Sequence, residues 1–362
     1  MHRALGLASR GLGRTAPNPP VGAVLIREGK IVGEGFHPAA GQPHAEIFAL
    51  RAAGELARGA DLYVTLEPCC LQGRTGPCSE ALIEAGVARV FVGTRDPNPL
   101  VSGQGMDRLR GGGIEVCCGI LEADCLELIA PFAKHIKSGI PFVVLKAAMT
   151  LDGQTATACG DSQWISCPAS RDMVHELRNQ VDGIMVGSGT VKADNPRLTT
   201  RLAEGGRDPL RIVFDGSLAT SPQARVYGQV SGAKAILVTA SDHSSADLQP
   251  YRASGVDVIQ VARNANGLDL LAALVELGKR DLQYLLLEGG SVLGGAMLRA
   301  GLIDRLMIFV APKLLGGVGH SLLAGEGVAG MAGARKVLNL RSRQVGTDIL
   351  IEGEVQNVHR PD

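Results

Sequence analysis

His44-Ala45-Glu46, Glu67-Pro68-Cys69 and Pro77-Cys78 bring an imidazole, two thiols and a carboxylate together early in the chain. One histidine and two cysteines are the three protein ligands that zinc takes when its fourth tetrahedral position is kept for water, as a catalytic site requires. Water held there becomes a nucleophile at neutral pH. Glu46, two positions after His44 and at the start of a helix, can carry a proton from that water to a leaving group. Singly, His44 reads as a satisfied histidine, and Cys69 and Cys78 read as small buried hydrophobes. Together, with Glu46 in register and a proline before each cysteine, they read as a metal centre. Cys70 reads as a packing thiol. Cys117, Cys118, Cys125, Cys159 and Cys167 have no histidine at ligand spacing and are expected in the core.

His-x-Glu followed by a Pro-Cys pair is the arrangement of zinc nucleobase deaminases, in which the glutamate is the acid/base and not a ligand. Here eight residues separate the cysteines instead of two. In the second half, Glu288-Gly289-Gly290-Ser291 follows an apolar run and opens a helix holding Gly294-Gly295. Backbone N–H groups at such a turn can receive a pyrophosphate, although paired glycines after a strand also serve as a plain tight turn. No Gly-x-Gly-x-x-Gly follows a strand, so a standard Rossmann dinucleotide site is not supported.

The elements that must position these residues alternate along the chain. Strand-like runs at Val21 to Ile26 and Lys30 to Phe36 flank the turn Glu28-Gly29. A helical pattern follows at Ala45 to Ala57, a strand at Leu62 to Leu66, and a serine-capped helix at Ser79 to Ala85. Strands at Val87 to Val92 and Ile114 to Cys118 precede a long helix from Leu121 to Ile136. This predicts a three-layer α/β domain over residues 1–139. Lys137-Ser138-Gly139-Ile140-Pro141 reads as a boundary. Alternation then restarts over residues 140–362, with strands at Phe142 to Ala147, Gly183 to Val186, Leu210 to Phe214, Ala235 to Val238, Asp257 to Val261, Tyr284 to Leu287 and Leu306 to Ala311. Helices are expected at Ala169 to Gln180, Leu268 to Leu277 and Val292 to Ala300.

The whole chain has 362 residues with 36 Lys+Arg against 36 Asp+Glu, so no charge excess points to nucleic acid or an anionic membrane. No run of 18 apolar residues predicts a membrane span, and the N-terminus lacks a signal-peptide core, so a cytoplasmic location is expected. There are 48 glycines, nearly twice the usual share of about 7%, and aromatics make up only 3%. Close backbone approaches and an aliphatic core follow.

Pro17-Asn18-Pro19-Pro20-Val21-Gly22, His44-Ala45-Glu46, Thr65-Leu66-Glu67-Pro68-Cys69 and Gly73-Arg74-Thr75-Gly76-Pro77-Cys78 resemble the deaminase half of the bifunctional RibD family of riboflavin biosynthesis. Leu145-Lys146, Leu151-Asp152-Gly153, Ser162-Gln163-Trp164-Ile165, Gly189-Thr190-Val191, Ala193-Asp194-Asn195-Pro196, Leu198-Thr199, Glu288-Gly289-Gly290 and Ala311 to Gly316 resemble its reductase half. The resemblance runs nearly end to end. It implies a cytidine-deaminase-like zinc domain followed by a dihydrofolate-reductase-like domain. It further implies deamination of 2,5-diamino-6-(5-phosphoribosylamino)pyrimidin-4(3H)-one, then NADPH-dependent reduction of the ribosyl side chain to ribityl. By this likeness His44, Cys69 and Cys78 hold zinc, Glu46 shuttles protons and Asn18 contacts the pyrimidine. Ala148, Trp164, Thr190, Asp194, Gly290, Ser291, Gly294, Gly295 and Ala296 line the NADPH site. Ser162, Arg178, Leu198, Arg201 and Glu288 contact the substrate, the arginines suiting its phosphate. Independently of the resemblance, a homo-oligomer acting on a small molecule, with no nucleic-acid or membrane partner, is expected. Taken singly, either arginine reads as a solvated surface charge, Trp164 as core, and Asn18 as an Asn-Pro turn. Cys70-Leu71-Gln72 and Gly76 depart from the family between the zinc cysteines.

Two other functional classes compete. A nucleic-acid deaminase is disfavoured by the neutral charge, few aromatics and wide cysteine spacing. A purely structural zinc protein has no need of Glu46.

Overall fold

In the computed structural model, which describes residues 1–70, 76–228 and 232–356, the chain divides into two units, Met1–Gly139 and Ile140–Asp362. The first runs α1 (His2–Ala8), β1 (Gly22–Arg27), β2 (Lys30–Phe36), α2 (Ala45–Ala53), β3 (Asp61–Leu66), α3 (Cys78–Glu84), β4 (Arg89–Thr94), α4 (Gln104–Gly111), β5 (Glu115–Cys118) and α5 (Glu122–Ser138). Its sheet has the order β2-β1-β3-β4-β5. β1 is antiparallel to β2 and β3, and β3, β4 and β5 are parallel. Glu28 and Gly29 both take positive φ, as a two-residue hairpin turn requires.

Ala45, Ala49 and Ala53 of α2, Leu82 of α3, and Met106 and Leu109 of α4 pack on one face with Leu25, Leu62, Val64, Val90 and Val92. On the opposite face Ala4 and Leu7 of α1 meet Val24, and α5 packs against α1 and β4. The result is the expected three layers. The small residues are needed because α2 lies directly on the β2 backbone. A Cβ at Gly33 would sit 2.2 Å from the Ala49 carbonyl oxygen, and one at Gly35 would sit 2.3 Å from that of Ala45.

The second unit runs β6 (Phe142–Thr150), α6 (Pro168–Gln180), β7 (Gly183–Gly187), α7 (Ser188–Asp194), β8 (Leu210–Phe214), β9 (Ala235–Ala240), α8 (Ser245–Ala253), β10 (Asp257–Val261), β11 (Arg263–Asn264) and β12 (Gly267–Leu268). It continues through α9 (Leu270–Gly278), β13 (Tyr284–Glu288), α10 (Ser291–Arg299), β14 (Arg305–Ala311), β15 (Val337–Val345) and β16 (Asp348–Val355). The sheet order is β10-β9-β8-β7-β13-β6-β14-β16-β15. It is parallel from β10 through β14, and β14, β16 and β15 are successively antiparallel. Central strands are buried on both faces and read as continuous apolar runs, such as Tyr284 to Leu287.

Several expectations need correction. The helix at Cys78–Glu84 is capped by Pro77, so Ser79 lies inside it, buried and with no hydrogen-bond partner for its Oγ. Cys118 and Cys159 are exposed and not core. Cys118 ends β5, an edge strand with only one neighbour, and Cys159 lies outside any helix or strand. The sequence reading also missed the helices α1, α4, α7 and α8 and the closing strands β15 and β16.

Because no Cβ fits under α2, Gly35→Ala is expected to destabilise the first unit by about 1–3 kcal/mol, the usual cost of overpacking. Calorimetry of the full chain should show this as a lowered transition. Gly111→Ala, with nothing within 4 Å of its Cβ, should not lower it.

Candidate active sites

In the first unit the turn into α2 carries His44 as its N-cap and Glu46 in its first turn, and the turn into α3 carries Cys78 as its first residue. Cys69 follows β3 on the loop between them. His44 Nδ1 lies 3.4 Å from Cys69 Sγ and 3.4 Å from Cys78 Sγ. A tetrahedral ion with bonds of about 2.0 Å to nitrogen and about 2.3 Å to sulfur spaces its ligands about 3.5 Å apart, so the donor set fits zinc. The three ligand atoms all lie within 4.8 Å of one another. The Cys78 backbone N–H also donates to Cys69 Sγ at 3.3 Å, which favours a thiolate. Hydrogen bonding from Cys78, followed by His44, brings the Cys69 thiol down to about 4. The Cys78 thiol is pushed up, chiefly because it keeps the proton it shares with Cys69.

Glu46 is buried, and its Oε2 has no partner. Burial, then the Cys69 charge, raises its carboxyl to about 7. A group that holds and releases a proton near neutral pH is what acid–base work requires. Asn18 lies on a loop whose N–H donates to the Thr15 carbonyl at 2.8 Å. Its Nδ2 is 3.1 Å from His37 Nε2, and His37 Nδ1 is 3.0 Å from the Pro43 carbonyl. A carbonyl only accepts, so Nδ1 carries the proton and Nε2 accepts from Asn18. That fixes the Asn18 amide. The His37 ring also stands edge-on to His44, centroids 5.3 Å apart.

Glu67, beside the zinc cysteine, accepts four backbone N–H bonds: Gly105 at 2.9 Å, Met106 at 3.2 Å, Gly103 at 2.9 Å and Asp96 at 3.2 Å. It caps α4 from a distant point in the chain and ties that helix to the Pro68-Cys69 loop. The sequence reading missed the roles of His37 and Glu67. A Glu-Pro-Cys run shows a carboxylate near a ligand, but not what it holds. Leu71 and Gln72 of the departing loop lie outside the described residues. Cys70 Sγ is directed at Gln104 Oε1 at 3.9 Å, away from the three ligands.

In the second unit, candidate residues gather at the C-terminal ends of β6, β7 and β13, where open parallel sheets place ligands. Gly289 and Gly290 take φ of +66° and +74°, and a Cβ on Gly290 would sit 2.9 Å from Thr190 Oγ1. Both glycines therefore turn the chain closely against Thr190 at the start of α10, whose N-terminal N–H groups fit a phosphate-bearing cofactor. Gly294 and Gly295 are buried behind this turn. A Cβ on Gly295 would meet the Ala324 carbonyl oxygen at 1.9 Å, so this glycine admits the chain's own backbone. Ala296 follows on α10, half-buried, and Ala148 lies half-buried on β6. Trp164 is 61% exposed, with the Arg171 guanidinium 4.8 Å from its ring centroid, so its indole is a surface platform. Lys313 Nζ donates to the Trp164 carbonyl at 2.6 Å. Asp194 is exposed at the end of α7.

Arg178 and Glu288 meet directly. Arg178 Nε and Nη2 donate to the two Glu288 oxygens at 2.7 and 2.8 Å, and Nη1 donates to the Thr199 carbonyl at 2.9 Å. Burial works against both charges, but the pairing prevails, so Glu288 is held below its ordinary range and Arg178 above. Arg178 is thus no solvated surface charge. Lys146 lies opposite Glu288 in the β6–β13 register, and burial lowers its ammonium. Leu198 is buried with φ +54°. Such a φ costs a side-chain-bearing residue about 1 kcal/mol or more. Ser162 is half-buried near Trp164, and Arg201 is exposed.

A zinc-ligand triangle beside a buried carboxylate, and a second unit with a glycine turn and a helix N-terminus at the C-terminal end of parallel strands, fit a zinc deaminase joined to a cofactor-binding reductase. The comparisons agree with that class. Residues 1–94 match the cytidine and deoxycytidylate deaminase zinc-binding region, and residues 141–351 match the RibD C-terminal domain. The chain is 41% identical to the riboflavin biosynthesis protein RibD of Escherichia coli, over 97% of each chain. It is 42% identical to that of Synechocystis over 98% of this chain and 95% of the relative. Among solved structures, Acinetobacter baumannii RibD superposes with a TM-score of 0.86 at 37% identity, covering 98% of both chains. The Thermotoga maritima diaminohydroxyphosphoribosylaminopyrimidine deaminase/5-amino-6-(5-phosphoribosylamino)uracil reductase gives 0.85 at 38% identity, covering 98% of this chain and 97% of that one. The chain belongs to the RibD family of bifunctional riboflavin-biosynthesis deaminase–reductases. Its first unit is cytidine-deaminase-like and its second is a RibD C-terminal domain built on a mixed nine-stranded sheet.

Cys69→Ser is expected to lose both zinc, measured by metal analysis, and ammonia release. Glu46→Gln should keep the metal and lose ammonia release by a factor of about 10²–10⁴. In the second unit, Glu288→Ala leaves Arg178 buried without its partner. It should destabilise that unit by about 3 kcal/mol in thermal unfolding.

Proposed function

We propose that the enzyme hydrolyses the 2-amino group of 2,5-diamino-6-(5-phosphoribosylamino)pyrimidin-4(3H)-one. With NADPH it then reduces the ribosyl side chain, yielding 5-amino-6-(5-phosphoribitylamino)uracil. The observation that carries this reading is the presence, in one chain, of the His44–Cys69–Cys78 triangle with Glu46 and the turn of Gly290 against Thr190 beside Arg178–Glu288.

Zinc, when bound by these three residues, supplies the Lewis acidity that makes water a nucleophile at neutral pH. Glu46 takes the proton from the attacking water and delivers it to the departing amine, which leaves as ammonia. Burial, which raises its carboxyl above the ordinary range, suits it to holding a proton between the two halves of that task. His37 holds the Asn18 amide in one orientation, leaving its Oδ1 and second N–H for the pyrimidine ring.

NADPH, when bound, supplies the hydride, and the protein's part is orientation. Trp164, Ala148, Thr190 and Asp194 border the cofactor, Gly290 and Ser291 offer backbone N–H groups to its phosphates, and Gly294, Gly295 and Ala296 form the wall behind. Ser162, Arg178, Leu198, Arg201 and Glu288 face the substrate, and the Arg178–Glu288 pair keeps that surface rigid. No helix of the described residues is long and apolar enough to cross a membrane. The eight free cysteines suit a reducing, cytoplasmic setting. The exposed edge strand β15, with Val337, Leu338 and Leu340 open to solvent, supports a homo-oligomer.

A coupled assay tests the reading. The diaminopyrimidine ribosyl phosphate is supplied while ammonia and NADPH oxidation are followed separately, with zinc quantified in the same sample. Both signals with about one zinc per chain are expected. Ammonia without NADPH oxidation would sink the reductase assignment, and NADPH oxidation only on pre-deaminated substrate would sink the deaminase assignment. Cys69→Ser should still reduce pre-deaminated substrate.

A further inference from the structure

His175 lies on α6 one turn before Arg178, and no part of the reading above uses it. Its Nδ1 is sealed from solvent and has no hydrogen-bond partner. Its Nε2 is not among the sealed unpartnered atoms and makes no hydrogen bond among the described residues. An imidazole proton on the sealed nitrogen would be a buried donor without an acceptor, whereas a bare lone pair there costs less. The proton therefore sits on Nε2, and the accessible edge of the ring is a donor. Burial and the nearby Arg178 and Arg201 charges lower the ring's pKa, which keeps it neutral.

Arg178 is largely committed, with three of its five N–H donors on Glu288 and the Thr199 carbonyl. On the other side, Thr200 N–H donates to Asp208 at 2.6 Å and its hydroxyl to the Arg207 carbonyl at 2.9 Å. The residues just before Arg201 are thus held from two directions, after a Leu198 forced to positive φ. Arg201 itself is exposed and makes no ion pair or hydrogen bond among the described residues. Besides facing the substrate, Arg178 positions the segment that presents Arg201 through its bond to the Thr199 carbonyl. Free donors beside Arg178 belong to the Arg201 guanidinium, His175 Nε2–H and, on the neighbouring strand β6, the Lys146 ammonium; of these, Arg201 acts on the His175 ring, whereas Lys146 acts on Glu288, its partner in the strand register.

We propose that His175, with Arg201, receives the phosphate group of the reductase substrate. The proposal rests on the reductase reading above. A guanidinium and a neutral imidazole N–H suit a phosphate, which accepts several hydrogen bonds at once.

The test uses the full-length holoenzyme with two probes, the deaminated ribosyl phosphate substrate and its dephosphorylated counterpart, and reads the ratio of their kcat/KM values. His175→Leu should lower the ratio about tenfold, the size of one hydrogen bond to a charged group, with the loss falling in KM. His175→Gln, whose amide nitrogen can stand near Nε2, should recover most of the ratio. His175→Asn, whose amide reaches only the Nδ1 position, should not. NADPH binding by each variant checks that the unit is folded, and if His175→Leu fails that check the Gln and Asn pair carries the test. An unchanged ratio in His175→Leu, or equal recovery by Asn and Gln, overturns the proposal. A wild-type enzyme that does not distinguish the two probes overturns instead the reading that the reductase site recognises phosphate.

Discussion

A carboxylate taken out of water destabilises a fold by several kcal/mol unless it is paired or neutralised. Each candidate site of this protein holds one such group, and the two handle it in opposite ways. Glu46 is left with an unpartnered oxygen, so burial raises its pKa into the range where it can exchange protons. Glu288 is locked to Arg178 by two short hydrogen bonds and stays charged. The first arrangement provides an acid–base group and the second a rigid floor. Much of the surrounding structure serves to keep one unpaired and the other paired.

Keeping Glu46 buried requires α2 to lie tight against β2, and Gly33 and Gly35 make that possible. The same device recurs in the second unit, where Gly295 lets the Ala324 carbonyl approach α10 and Gly289 and Gly290 let the chain turn against Thr190. The high glycine content is therefore a property of packing as much as of turns. Each close contact fixes a helix relative to a strand, and each candidate site sits at the end of such a helix.

The zinc ligands and Glu46 were legible because their residue types are diagnostic of chemistry and their spacing is short. The central strands were legible because burial on both faces leaves continuous apolar runs. Other features were hidden for physical reasons. The helix Gln104–Gly111 has glycine near both ends and little propensity of its own, and its capping carboxylate, Glu67, is 36 to 39 residues away from the N–H groups it receives. The strand Val337–Val345 buries only its last residue, so it shows no alternation. His37 and His175 look like ordinary histidines until their neighbours are known.

By itself, the sequence determined the chemistry available: a histidine, two cysteines and a glutamate in metal-site order, a glycine pair after an apolar strand, and two arginines suited to phosphate. It also set the α/β alternation, because period-2 and period-3.6 patterns are local. The tertiary structure decided which of these groups have partners. Arg178 was spent on Glu288 and Thr199 while Arg201 stayed free, and Trp164 became an exposed platform and not core. The physical reason is that hydrogen bonding and burial depend on distances between segments far apart in the chain, which no local pattern encodes.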